Sequence, residues 1–526
     1  MKKNIYKLHR TLSLIIALPV LLWAISGFMH PLMTTIRPQV ATQVLPARAI
    51  DTTHIKTPLS AALKKHHIDS VAGFRLVHID TTWFYQVQVP GKQEPLYFSA
   101  INGKLLTAGN WLYAQYLARQ FLEGADGSDS AAAPVAAASS PEAGALHDCC
   151  DAATSCVLNN EKGSKVRDAS MLTAFNEEYK EINRLLPVYK VTFERADGIR
   201  IYVETTQDRF AFAMDNHRAL FDCIFRNLHT WDWLNLLGRA KHFVLGCIAL
   251  TALITSVLGL YIFFTTKSKK ASGNGLVKAR RYHRYTAVIA SLFTLMWTFS
   301  GSYYAFSRLQ PDTRYNYFVN DHFAASAADI PFGKLQQKVA APITNVSMVR
   351  LPSGNYWQVY TKGKPVIQYV HTGTFALLPR GDAQYARHLA AQFSGNHAAA
   401  VTGTAYVTKF TDEYNFADKR LPVWKVAYNT RHHERYYVET ASGRLSVRVN
   451  DLDMPQGYSF ALFHKHHFMD WGGKTVRDIS TMFWVLMQVV MVSVGLTLYV
   501  VWRRKTGKAR RAPIHTAPLS GNSVAQ

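Results

Sequence analysis

The chain has 526 residues, with 59 Lys and Arg against 35 Asp and Glu, a formal charge of +24. Nearly half of the residues are hydrophobic, yet mean hydropathy over the whole chain is close to zero, so long apolar segments must be offset by extensive polar regions. The excess charge clusters beside the apolar segments, which excludes a nucleic-acid-binding domain with one basic face.

The first element is an apolar run. From Thr11 to Ile36 there are 26 positions without a charged side chain, and a helix rising about 1.5 Å per residue needs roughly 20 to cross a bilayer core. Phe243–Thr266, Tyr285–Ser307 and Ile479–Trp502 qualify in the same way. The predicted fold class is membrane α-helical, with four transmembrane helices. A cleaved secretory signal is set aside for the first, because a twin of it is internal. HRTLSLIIALPVLLWAISG begins at His9 and HRYTAVIASLFTLMWTFSG at His283, and both carry Trp 14 places and Ser-Gly 17 places after the His.

Charge orients these helices. Lys2, Lys3, Lys7 and Arg10 precede the first, seven Lys and Arg lie between Lys267 and Arg284, and six follow from Arg503, with no acid in any of the three stretches. By the positive-inside rule these 17 cations mark the cytoplasm. Both termini are expected there, and the protein in a bacterial inner membrane. The expected division is a cytoplasmic N-terminus and first helix (1–37), an external region (38–238), a second helix (239–266), a basic loop (267–284), a third helix (285–307), a second external region (308–477), a fourth helix (478–502) and a basic tail (503–526).

The external regions also repeat. LPVYKV at Leu186 matches LPVWKV at Leu421, YVET at Tyr202 matches YVET at Tyr437, and Glu178-Tyr179 matches Glu413-Tyr414, all offset by 235. HTWDW from His229 and HFMDW from His467 share His-x-x-Asp-Trp at an offset of 238, each with an Arg six places past the Trp. Two copies of helix, external domain, helix are therefore expected, related by an axis along the membrane normal. Copy one holds an extra Ala/Ser/Gly-rich stretch from Gly124 to about Gly163, read as a surface insertion that builds no core. Its Cys149, Cys150 and Cys156 are the candidate metal ligands, though adjacent cysteines lack the two spaced pairs of a zinc site.

Each external region reads as helix, short alternating strands, helix, then further strands: PLSAALKKHHI, VAGFRLVHI, TWFYQVQVP and YAQYLARQF in the first, with YARHLAAQF from Tyr385 in the second. Glycine at the turn of AINGKLL and HTGTFALL fits hairpins. Two external α+β domains are expected.

These strand and Gly-turn patterns (YFSAINGKLL, YVETASGRLSV) resemble PepSY domains. The His-Arg start of a helix and LHTW before the next resemble the PepSY-associated transmembrane family. The resemblance extends over nearly the whole chain outside the insertion and tail. It implies an inner-membrane PepSY protein similar to iron-regulated membrane proteins and to siderophore-iron reductases that carry b-type haem.

The histidines are read beside that resemblance. His9 and His283 fall at equivalent places on the cytoplasmic edge, and His229 and His467 at the external edge. Neutral imidazoles, one from each half, can supply the two axial nitrogens of a haem iron, so two haems b are expected. Arg10 and Arg284 stand beside the inner pair as propionate partners. His30 and His242 have no histidine counterparts (Tyr304 and Ser480 stand there). His9 and His30 lie 21 residues apart, about 31 Å along a helix, so they belong to different sites. The outer haem is assigned to a pair drawn from His30, His229, His242 and His467. FHKHHF at Phe463 and RHH at Arg431 are His-rich enough to touch a metal, although clustered exposed histidines more often have no role. Asp232-Trp233 and Asp470-Trp471 are read as helix caps with an interfacial aromatic, or as carboxylates orienting His229 and His467.

No Gly-rich dinucleotide fingerprint, Walker sequence or Cys-x-x-Cys is present. No flavin or NAD site is expected, and electrons would come from quinol or a redox partner. The leading function is haem-dependent reduction of a ferric siderophore or another external metal complex by a protein embedded in the lipid bilayer. The alternative is a non-enzymatic PepSY binding or regulatory protein that holds a protease or an assembly partner. A transporter is disfavoured because the spans contain no buried acid or base.

Overall fold

The computed structural model describes residues 2–124, 164–267, 275–310, 318–319, 321–395 and 400–511. The insertion beyond Gly124, with Cys149, Cys150 and Cys156, lies outside the described residues. The chain divides into two units, one of Met1–Thr35, Phe221–Pro311 and Gln456–Gln526, the other of Ile36–Leu220 and Asp312–Pro455.

The first unit is built from four long helices: Lys2–Thr35, Ala240–Thr265, Gly275–Ser307 and Gly473–Arg511. Among the described residues, three segments, Asn4–Met33, Ala240–Thr265 and His467–Arg504, are long and apolar enough to cross a membrane. The third long helix is of similar length, but its Thr, Ser and Tyr residues dilute the apolar run and keep it out of that group. Helical structure also extends past the apolar boundaries. The third helix begins at Gly275 and the fourth reaches Arg511, so much of the basic loop and tail is helical. Lys and Arg are good helix formers, and their long stems keep the charge in water while the backbone continues.

Each long helix packs along two others: the first against the second and fourth, the third against the second and fourth. The first and third therefore stand on a diagonal of the bundle. In one half Ile16 and Val20 pack on Ala252. In the other, the Thr294 hydroxyl donates to the buried Gln488 side chain at 2.5 Å.

The second unit carries the α+β structure. Its first half is an antiparallel sheet of Gly73–Ile79, Thr82–Gln88 and Leu96–Ser99, the helix Gly109–Glu123, and an antiparallel sheet of Val166–Leu172, Val188–Phe193, Arg200–Glu204 and Arg209–Met214. The second half repeats that order with Ile343–Leu351, Gly354–Thr361 and Gln368–His371, the helix Gly381–Ser394, and Val401–Val407, Val423–Tyr428, Arg435–Glu439 and Arg444–Val449. The helix of the first half buries Leu117 and Phe121 between Val77 and Phe84 of one sheet and Val191 and Ile201 of the other. The two three-stranded sheets share a core, with Phe74 and Trp83 from one and Met348 and Trp357 from the other.

The repeated motifs turn out to be contacts. Tyr179 stacks on Tyr202 at 4.8 Å, and Tyr414 on Tyr437 at 4.5 Å. Glu178 and Glu413 accept the hydroxyls of Tyr202 and Tyr437. The two YVET glutamates, Glu204 and Glu439, meet in one buried cluster. Arg420 lies 2.8 Å from Glu439 and 3.4 Å from Glu204, and Arg209 pairs with both carboxylates. Burial pushes the Glu439 carboxyl up, but Arg209 and Arg420 outweigh it and hold it at about 2. Buried charges survive only when paired in this way.

Candidate functional site

Two short turns in the helical unit present histidines to the long helices. The helix Asn216–Phe225 widens into one turn of π-helix, Arg226–Thr230, and Met454–Ser459 does the same into Phe460–His464. Such turns are rare and concentrate at functional sites. Each stacks its histidine on the phenylalanine four residues earlier: Phe225 on His229 and Phe460 on His464, both at 4.8 Å.

The long helices then hold each turn by the same two bonds. The Trp23 indole donates to the His229 carbonyl at 3.0 Å, and Trp297 to the His464 carbonyl at 3.3 Å. Ser26 Oγ lies 2.9 Å from His229 Nδ1, and Ser300 Oγ lies 3.1 Å from His464 Nδ1. Each serine hydroxyl has a carbonyl of its own helix to donate to, Leu22 for Ser26 and Trp297 for Ser300. When the hydroxyl donates to that carbonyl, the serine oxygen accepts from Nδ1–H and Nε2 keeps its lone pair. Burial pushes His229 down to about 4, with His30 adding to the effect, and pushes His464 well down, with His229 adding. Both are neutral, ligand-competent imidazoles. The two rings lie 6.0 Å apart with their planes at 79°.

At the other end of the bundle His9 and His283 share a second arrangement. His9 Nδ1 lies 3.1 Å from the Thr255 carbonyl, which can only accept, so Nε2 is again the free nitrogen. His283 faces the Met491 carbonyl at the edge of hydrogen-bond geometry, its Nδ1 buried. Each ring rests on a glycine: a Cβ on Gly259 would stand 3.2 Å from His9 Cε1, and one on Gly495 would stand 3.1 Å from His283 Cε1. The two imidazoles are on the diagonal helices, within electrostatic range of each other. Arg10 lies over the Trp502 ring at 4.3 Å, and Arg284 donates to Thr266 and the Phe263 carbonyl, so both arginines anchor neighbouring helices.

The other candidates take different places. His467 does not occupy the position equivalent to His229; His464 does, and His467 lies 3.9 Å from Asp470. His30 is tilted over Phe225 at 5.7 Å, beside the outer pair. His242 stands at the start of the second helix, near Lys241 and Arg308. Neither Asp-Trp carboxylate orients a π-turn histidine. Asp232 binds Thr230, Arg226 and Lys241, which outweigh its burial and hold it at about 2. Asp470 binds Arg477 at 2.5 Å. The residues that reading the sequence missed are His464, Ser26 and Ser300. The first lies 235 places after His229, the offset of the other repeats, and both serines stand in the repeated Trp-x-x-Ser-Gly.

Helices of membrane-crossing length, paired α+β domains and a recurring Trp-Ser-His contact stand together in one chain. The family described as PepSY-associated TM region matches residues 6–380. The chain belongs to that family. A PepSY-associated TM protein is a membrane protein with PepSY domains, and its apolar helices contact the lipid bilayer. The match ends just before the helix Gly381–Ser394, so His464, His466 and His467 lie beyond it. None of the curated proteins matches the chain.

Proposed function

We propose that this PepSY-associated TM protein is an electron-transfer reductase of the bacterial inner membrane. In this reading it holds two haems b and passes electrons to ferric siderophores or related metal complexes outside. The observation that carries the reading is the pair His229 and His464. An imidazole–metal bond of about 2 Å, with roughly 1 Å from nitrogen to ring centre, separates two imidazoles across one metal by about 6 Å. The observed separation is 6.0 Å. The donor set also fits, since two neutral imidazoles with Nδ1 hydrogen-bonded are what an iron with four porphyrin nitrogens requires.

His229 and His464 would hold the outer group, and His9 and His283 the inner one. When bound, each haem would supply reversible one-electron storage. The chain's own residues do the rest: Ser26, Ser300 and the Thr255 carbonyl fix the tautomer, the π turns aim the rings, and Phe225 and Phe460 cover them. Four membrane spans, cytoplasmic termini and two duplicated halves belong to the same proposal, supported by the one-sided clusters of Lys and Arg and by the repeated contacts. Electrons would enter from quinol or a redox partner.

The test is the visible spectrum of purified full-length protein with a pyridine-haemochrome count. A Soret and α band that shift on reduction, with two haems per chain, are expected. A colourless preparation that takes up no added haem overturns the proposal.

A further inference from the structure

The ion cluster shared by the two four-stranded sheets carries one cation too many. Arg209 and Arg444 stand 235 places apart, at the same point of their two halves, as do Glu204 and Glu439. A strictly repeated arrangement would give each arginine both carboxylates. Arg209 has them, at 2.9 Å from Glu204 and in close contact with Glu439. Arg444 has neither. The second half carries Arg420 where the first has Leu185, and Arg420 takes the remaining oxygens, Glu439 Oε2 at 2.8 Å and Glu204 Oε1 at 3.4 Å. All four carboxylate oxygens are then in use, and Arg444 Nη1 is left to donate to the Leu186 carbonyl at 3.4 Å.

Among the described residues, three arginines therefore meet two glutamates. Asp418 and Lys419, beside Arg420 in the chain, and Arg184, which pairs with Asp418, add two cations and one anion, so a wider count does not close the gap. Burial pushes Arg209 and Arg444 down alike. In Arg209 the two carboxylates outweigh it, whereas in Arg444 the neighbouring Arg420 adds to it and the guanidinium stays below its ordinary range. A charge drawn out of water without an opposite charge is costly.

The spare donors are open to a ligand. Arg420 is fully buried, but Arg444 is only partly so, and its Nε and Nη2 have no partner among the described residues. The guanidinium lies over the Phe318 ring at 5.7 Å, and that ring is 58% exposed. A guanidinium on an aromatic face keeps its N–H groups in its own plane, where their fork matches the two oxygens of a carboxylate. The exposed ring beside it suits a flat apolar body.

We propose that Arg444 and Phe318 form a binding site for a small aromatic carboxylate. Its two oxygens take the N–H fork of Arg444, its ring lies along Phe318, and the cluster closes at three cations and three anions. The site involves no haem and no redox step, so it stands apart from the reductase reading.

The experiment is an NMR titration of carboxyl-labelled benzoate into full-length protein in phosphocholine nanodiscs at neutral pH, with acetate and chloride as comparison anions. Saturable benzoate binding is expected in the parent. Arg444→Gln should weaken it at least about tenfold, the loss of a charge-assisted hydrogen bond. Arg444→Lys, which keeps the charge but not the fork, should weaken it several-fold, and Phe318→Ala should bring benzoate down to the level of acetate. Because Arg444 holds neither glutamate, Arg444→Gln should not lower the midpoint of chemical unfolding, and benzoate should raise that midpoint in the parent alone. Equal benzoate binding by the parent and Arg444→Gln would mean partition into lipid and overturns the site. Chloride that displaces benzoate at equal concentration marks a halide site and overturns the carboxylate assignment. A lower midpoint in ligand-free Arg444→Gln overturns it too, since Arg444 would then be a structural member of the cluster.

Discussion

From His229 the chain reaches Asp232 in three residues; from His464 it takes six to reach Asp470, and the extra three are Lys465, His466 and His467. Up to the histidine the two turns are alike: a phenylalanine under the ring, a serine on Nδ1 and an indole on the carbonyl. Beyond it they part. One turn stacks two more tryptophans on Trp23, and the other buries His466 between Phe293, Trp297 and Phe468. What is shared is what orients the imidazole, which on the proposed reading is the part that a bound haem would constrain. What differs lies outward of it, where each half is free to specialise. The same division appears deeper in the bundle, where Thr294 and Gln488 form a polar pair in one half and Val20 packs on Ala252 in the other.

The largest effect expected from breaking the comparison lies in the sheet unit. Arg420 serves both YVET glutamates, and the equivalent position of the first half is Leu185. Arg420→Ala leaves Glu204 and Glu439 short of a cation and should cost about 3–5 kcal/mol of stability, read as a lower midpoint of chemical unfolding. The pH dependence has a definite sign. Glu439 is held at about 2 against an ordinary 4.5, so its stabilisation is present above 4.5 and is lost as pH falls from there toward 2. In Arg420→Ala the Glu439 carboxyl should titrate closer to its ordinary 4.5, so this acid-dependent loss should shrink, and an unchanged pH dependence would contradict the cluster's role.

Ser26→Ala and Ser300→Ala come next. On the haem reading each removes the acceptor that fixes one Nδ1–H, and either should weaken retention of an outer haem by about 10–100-fold, measured by transfer to apomyoglobin. Equal losses sharpen the likeness of the two turns. A loss in one only would show that a single histidine carries the site. The smallest effect is that of Trp23→Phe or Trp297→Phe, each losing one neutral hydrogen bond worth about 0.5–1.5 kcal/mol. The two losses should be similar, because Trp23 stacks on Trp231 and Trp297 packs on His466 and Phe293.

The apolar segments were legible as helices because length and the absence of charge are local properties. Their true ends were not, since Lys and Arg extend a helix without any hydrophobic signal. YVET was legible as a repeat, yet nothing local says that Glu204 and Glu439 come together. His464 was within reach at the common offset of 235. Alignment through the Asp-Trp pairs slipped by the inserted Lys465–His467 and chose His467 instead. Those carboxylates were read as candidates for orienting the imidazoles, but serines one helical turn beyond Trp23 and Trp297 do it. A buried serine hydroxyl can donate to its own helix and accept from the ring, which leaves no charge to neutralise in an apolar bundle.

The most direct test of the central claim is the haem count of His464→Ala set against His467→Ala, each purified full length beside the wild type. If His229 and His464 are the outer pair, His464→Ala loses one haem equivalent and keeps the inner one, while His467→Ala retains the wild-type count and spectrum. The reverse result, with haem lost from His467→Ala and kept in His464→Ala, would contradict the assignment.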